Sequence, residues 1–94
     1  MLYDLSATIA LLTARKARIE AKIRRATAAR ESAISRSRRV QTKARATFER
    51  RALRENVVAW HAYRRASDRL ASLHEENVRI ADAIYLTTVA QFGR

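Results

Sequence analysis

Cysteine and proline are absent from this chain of 94 residues, and its one glycine is Gly93. Without cysteine there is no disulfide and no thiolate metal site, and the redox compartment leaves no mark on the sequence. Without proline and internal glycine, the usual residues of hairpin and β-turns are missing. Aromatic residues number six, too few and too scattered for a base-stacking platform. No apolar run reaches the roughly 18 residues of a membrane-spanning helix. Acids are scarce, with nine Asp and Glu against twenty Lys and Arg, for a net charge of +11.

What remains is rich in alanine, arginine and leucine, all strong helix formers. The expected fold class is all-α: a long-helix antiparallel coiled-coil hairpin of two, or with a further break three, helices. A chain this short is marginal as a self-sufficient core, so oligomerisation or a partner is expected to complete it. Helix one is placed at about residues 2–45, a break or turn at about 45–52, and helix two at about 53–92, within a single domain over 1–94.

The first seam is legible from spacing. Leu2, Leu5, Ile9, Leu12, Lys16, Ile19, Ile23, Ala26, Arg30, Ala33, Ser37, Val40 and Ala44 alternate steps of three and four, the signature of a coiled coil. Leu and Ile dominate its start, and it weakens to Ala, Ser and Arg. A second seam reads Tyr63, Ala66, Leu70, Leu73, Asn77, Ile80 and Ile84 in a different phase. Leu53, Val57 and Trp60 precede it in a third phase, which implies a stutter or break between Ala44 and Leu53. Thr47 is a candidate cap for helix two, and Ser32 to Ser37 is a second candidate break. A single uninterrupted helix is the competing architecture.

Charge is unevenly distributed. Residues 15–54 hold fifteen Lys and Arg against Glu20, Glu31 and Glu49, whereas the rest of the chain is close to neutral. Arg15, Arg18, Lys22, Arg25, Arg36, Arg39 and Lys43 share one helical stripe, with Ala29 and Ser32 keeping register. At ~1.5 Å per residue that stripe is about 42 Å long. Its single sign points to an acidic target, protein or nucleic acid. Because it flanks the Leu/Ile seam, it is alternatively an internal device that selects a partner helix. Arginine outnumbers lysine seventeen to three, which suits bidentate contacts to carboxylate or phosphate, although a high-GC genome produces the same bias.

Two further faces point to association. Ala7, Ala10, Ala14, Ala17, Ala21 and Ala28 form a small-residue row that either fills a solvated surface or admits another helix. Val78 to Phe92 is apolar on several sides and calls for burial on more than one. If the helices turn near residue 47, the termini meet, giving an apolar base and a basic tip. The expected association surface is Leu2, Leu5, Ile9, Leu12, Ile80, Ile84, Tyr85, Val89 and Phe92.

Catalytic constellations are missing. His61 and His74 lie thirteen residues apart, and His74-Glu75-Glu76 lacks the second histidine of a zinc helix motif. No catalytic residue, metal or cofactor is expected. Trp60 and Tyr63 read as core anchors, with Arg64 placed to stack on the indole. Asn77 is a polar residue on an apolar seam, a position that sets register or oligomer state.

Arg30-Glu31-Ser32-Ala33 with Arg36, Arg38 and Arg39 resembles the basic region of leucine-zipper transcription factors over about ten residues. That family's base-reading asparagine falls at Ala29, its arginine falls at Ser37, and no leucine heptad follows, so the DNA-reading role does not transfer. The basic helical hairpin is also similar in shape to stalk proteins of flagellar and type III secretion export, an analogy of architecture only.

The reading that emerges is a non-enzymatic coiled-coil adaptor or assembly subunit, a homo-oligomer or part of a larger assembly, that contacts an acidic partner through the basic stripe. The alternative is a nucleic-acid-binding protein gripping phosphates through the same stripe with little sequence specificity. A lesser alternative is an amphipathic helix on an anionic membrane. The N-terminal apolar stretch precedes rather than follows the basic segment, the wrong order for a secretory signal. The Arg/Ser/Thr-rich composition of residues 5–48 partly mimics an organelle transit peptide, but its heptad order exceeds what targeting requires. A soluble intracellular protein is expected.

Overall fold

Heptad spacing without interruption should give long helices, and a computed structural model, which describes residues 4–47 and 50–93, contains two: α1, Ser6–Thr47, and α2, Arg50–Phe92. They run antiparallel as a helical hairpin, and there is no strand among the described residues. Ser32 to Ser37 does not interrupt α1. Nor does Thr47 cap α2: it ends α1, where its hydroxyl donates to the Lys43 carbonyl oxygen at 2.9 Å. Leu2, in both the first seam and the association set, lies outside the described residues.

The chain divides into two units, Met1–Ile23 with Ser72–Arg94 (unit 1) and Arg24–Ala71 (unit 2). In unit 1, Ile19, Leu73 and Ile80 are buried, and Leu5, Ile9, Leu12, Lys16, Ile23, Asn77 and Ile84 are half-buried between the helices. The Leu5 amide donates to Gln91 Oε1 at 2.7 Å, so the start of α1 is tied to the end of α2. Asp4 Oδ1 accepts from the Ser6 amide at 2.9 Å and satisfies one of the free donors of the first turn. At the same C-terminal end of α2, the Gly93 amide bonds to the Val89 carbonyl oxygen at 2.7 Å, and a Cβ there would sit 2.9 Å from that oxygen.

Unit 2 has a different interior. Among the described residues, its fully buried positions are alanines, Ala26, Ala44, Ala52 and Ala59, with Ile34, Val40, Tyr63 and Leu70 half-buried. Burying a Leu or Ile contributes about 1.5–3 kcal/mol, and a single methyl group about 0.8 kcal/mol. Among the described residues, full burial of large apolar side chains is therefore confined to unit 1.

The first seam follows the 3–4 spacing from Leu5 to Ala44, every described member being buried or half-buried. The second seam departs from expectation at its start. Its phase continues back from Tyr63 through Ala59, Asn56 and Ala52 without a stutter. Leu53, Val57 and Trp60, read from sequence as the lead-in, stay exposed at 49%, 54% and 49%. Only one phase of a straight helix can face its neighbour. Here the small residues take it, matching the Ala/Ser-rich seam of α1 opposite.

Candidate functional site

All seven residues of the basic stripe lie on α1, and all are exposed. Unit 1 holds Arg15, Arg18 and Lys22; unit 2 holds Arg25, Arg36, Arg39 and Lys43. Two are answered from α2. Arg15 lies 3.5 Å from Glu76 in unit 1, and Lys43 lies 3.8 Å from Glu55 in unit 2, where Glu55 also meets Arg51 at 3.3 Å. Exposed pairs of this kind contribute about 0–1 kcal/mol. Among the described residues, Arg18, Lys22, Arg25, Arg36 and Arg39 are in no ion pair. The stripe is thus divided: Arg15 and Lys43 each meet an acid of α2, and five cations keep their charge for solvent or a partner.

Arg30 is the arginine the helices enclose. Its Nε donates to Ser67 Oγ at 3.0 Å and its Nη2 to the Tyr63 hydroxyl at 3.1 Å, while its Cζ lies 5.3 Å from the Tyr63 ring centroid. A cation on the α1 seam is tolerated because α2 supplies two acceptors and an aromatic face at that level. Tyr63, half-buried, stacks at a tilt against Trp60, with ring centroids 5.9 Å apart and 33° between planes. Arg30, rather than Arg64, is therefore the cation that meets the aromatic pair, and Trp60 is a surface residue rather than a core anchor. The partnership across 33 residues had no local signal; only the polar residue on a seam marked it.

Of the expected association surface, Ile80 is buried, and Leu5, Ile9, Leu12 and Ile84 are half-buried within unit 1. Tyr85, Val89 and Phe92 face outward, together with Leu11, Val78 and Leu86, which that set omitted. Tyr85, Leu86, Phe92 and Leu11 are each more than 60% exposed. Of the alanine row, Ala21 is half-buried and the other five members are exposed.

The units differ in charge as well. Unit 1 carries six Lys and Arg against five acids, a net of +1; unit 2 carries fourteen against four, a net of +10.

His61 and His74 are both exposed, and no group of three or more His, Cys, Asp or Glu is placed to hold a metal ion among the described residues. No helix, among the described residues, is long and apolar enough to cross a membrane. Comparison with family models, with curated proteins and with solved structures finds no match to this chain.

Proposed function

We propose that this chain is a non-enzymatic coiled-coil adaptor or assembly subunit. The observation that carries the reading is the difference in net charge between two units that both expose large apolar side chains. Exposed large apolar side chains in unit 1 sit in a nearly neutral surround, where like copies or a neighbouring subunit meet without charge repulsion. The surplus of cations in unit 2, which its own acids do not answer, suits an acidic target.

Association is expected to run through Tyr85, Leu86, Val89 and Phe92. Replacing Leu86 and Val89 with Asp leaves the seam of unit 1 untouched. Sedimentation equilibrium should then show the mass falling to that of one chain, with helicity retained. An oligomer of unchanged mass would sink this assignment. Substituting Ile84 would confound the test, since its half-buried side chain belongs to the hairpin's own seam.

Nucleic-acid binding is the second reading, favoured by the five stripe cations with no ion-pair partner. It requires affinity for random duplex that persists at about 0.15 M salt, with a log–log slope corresponding to several released counterions.

A further inference from the structure

We infer that the outward face of α2 in unit 2 is a docking site for an acidic amphipathic helix of another protein, an inference that rests on the adaptor reading and gives its acidic partner a shape. Arg50, Leu53, Val57, Trp60 and Arg64 follow steps of three and four, so they form one stripe along α2. The stripe is apolar in its middle and carries an arginine at each end. It is about 21 Å long at ~1.5 Å per residue, the span of a four-turn helix.

Two shallow, open hollows lie along the stripe. Leu53, Val57 and Val58 with Arg50 and Arg54 line an open apolar hollow of about 410 Å³. Trp60 and Tyr63 with Ile34, Ser37, Arg38 and Gln41 line another of about 370 Å³. Four large apolar side chains here are about half exposed: Leu53, Val57, Val58 and Trp60. The charged residues that line these hollows or end the stripe are Arg38, Arg50, Arg54 and Arg64, all exposed and, among the described residues, in no ion pair, while Glu55, one turn from Val58, is taken by Lys43 and Arg51.

Charge complementarity selects the occupant. A second copy would bring the same arginines, and a net of +10 against +10 in this unit opposes self-docking. A phosphate backbone would answer the rim but has no use for the aliphatic Leu53, Val57 and Val58, and Trp60 alone is not a stacking platform. A helix with bulky apolar residues at i, i+3 or i+4, and i+7, bordered by Asp and Glu, meets both requirements.

Trp60 is the only tryptophan in the chain, so the site carries its own fluorescent reporter. The probe is a synthetic peptide of about six turns, with Leu at alternating steps of three and four and Glu elsewhere. A same-composition peptide of scrambled order, and random duplex DNA, are run beside it on the full chain. The ordered peptide should bind with a blue shift of Trp60 emission and gain helicity. The scrambled peptide, and the ordered peptide with the Leu53→Ser/Val57→Ser variant, should each bind at least tenfold more weakly. Should that variant lose helicity on its own, Arg50→Gln/Arg64→Gln asks the same question with the apolar stripe intact.

Equal binding of the two peptides would overturn the inference, as would wild-type affinity in either variant, or a DNA-induced blue shift sensitive to the same substitutions. An Arg18→Glu/Lys22→Glu/Arg25→Glu variant separates this site from the α1 stripe. Binding lost there and unchanged in Leu53→Ser/Val57→Ser would keep the acidic-partner reading and overturn the α2 site.

Discussion

Arg30 shows what a charged residue must be given to sit on a coiled-coil seam. Two hydrogen bonds and an aromatic face converge on one guanidinium, and all the donors come from α1 while all the acceptors come from α2. Tyr63→Phe keeps the ring and removes one acceptor, so urea unfolding should report a loss of about 0.5–1.5 kcal/mol. Arg30→Ala should cost more, because it also strips the stem from a half-buried position. Asp4 behaves differently, since its role depends on pH. Its side-chain and backbone bonds with Ser6 hold the carboxyl below the ordinary carboxylate range. A depressed folded-state value means that the contribution is present above the unfolded value and is lost as pH falls through the folded one. The Ser6 amide resonance should therefore titrate with a midpoint below about 3.9, the value of free Asp. In Asp4→Ala that titration should vanish.

At the scale of the helix, the seams explain both the successes and the failures of reading the sequence. α1 was legible because its phase never changes; even Lys16 and Arg30 keep their places in the alternation. Lys16 does so with Glu20 one turn away as its ion-pair partner. The start of α2 was misread because size was taken as the guide to burial. Leu53, Val57 and Trp60 outweigh Ala52, Asn56 and Ala59 in hydrophobicity, yet the smaller set holds the phase that continues to Ile84. Spacing alone also could not tell which stripe cations were taken, since Glu55 and Glu76 meet Lys43 and Arg15 from the other helix. Asn77 belongs here too. It stands on the seam of unit 1 with its Oδ1 buried and, among the described residues, without a hydrogen-bond partner. An unpaired buried acceptor costs about 1–3 kcal/mol. Asn77→Leu should raise the urea midpoint accordingly. If Asn77 fixes association state, as such residues do in coiled coils, sedimentation of the same variant should reveal a changed or mixed mass.

For the molecule as a whole, apolar burial and positive charge are apportioned oppositely. Among the described residues, unit 1 fully buries Ile19, Leu73 and Ile80 at a net of +1, and unit 2 fully buries only alanines at +10. Self-repulsion should therefore limit unit 2 at low ionic strength, and screening should relieve it as the Debye length shortens from about 30 Å at 0.01 M to about 8 Å at 0.15 M. Amide exchange in Arg24–Ala71 should slow with added salt more than exchange in the remainder. Equal slowing would mean that charge is not what limits that unit.

The tie between Leu5 and Gln91 spans 86 positions of chain, whereas Lys43 meets Glu55 across only twelve. Closing a loop costs about 0.6 kcal/mol more for each doubling of its length, so the nearest contacts form first and the farthest last. Yet among the described residues the fully buried leucine and isoleucines, Ile19, Leu73 and Ile80, all belong to unit 1. A chain arranged this way makes its short-range pairings before its largest buried side chains come together.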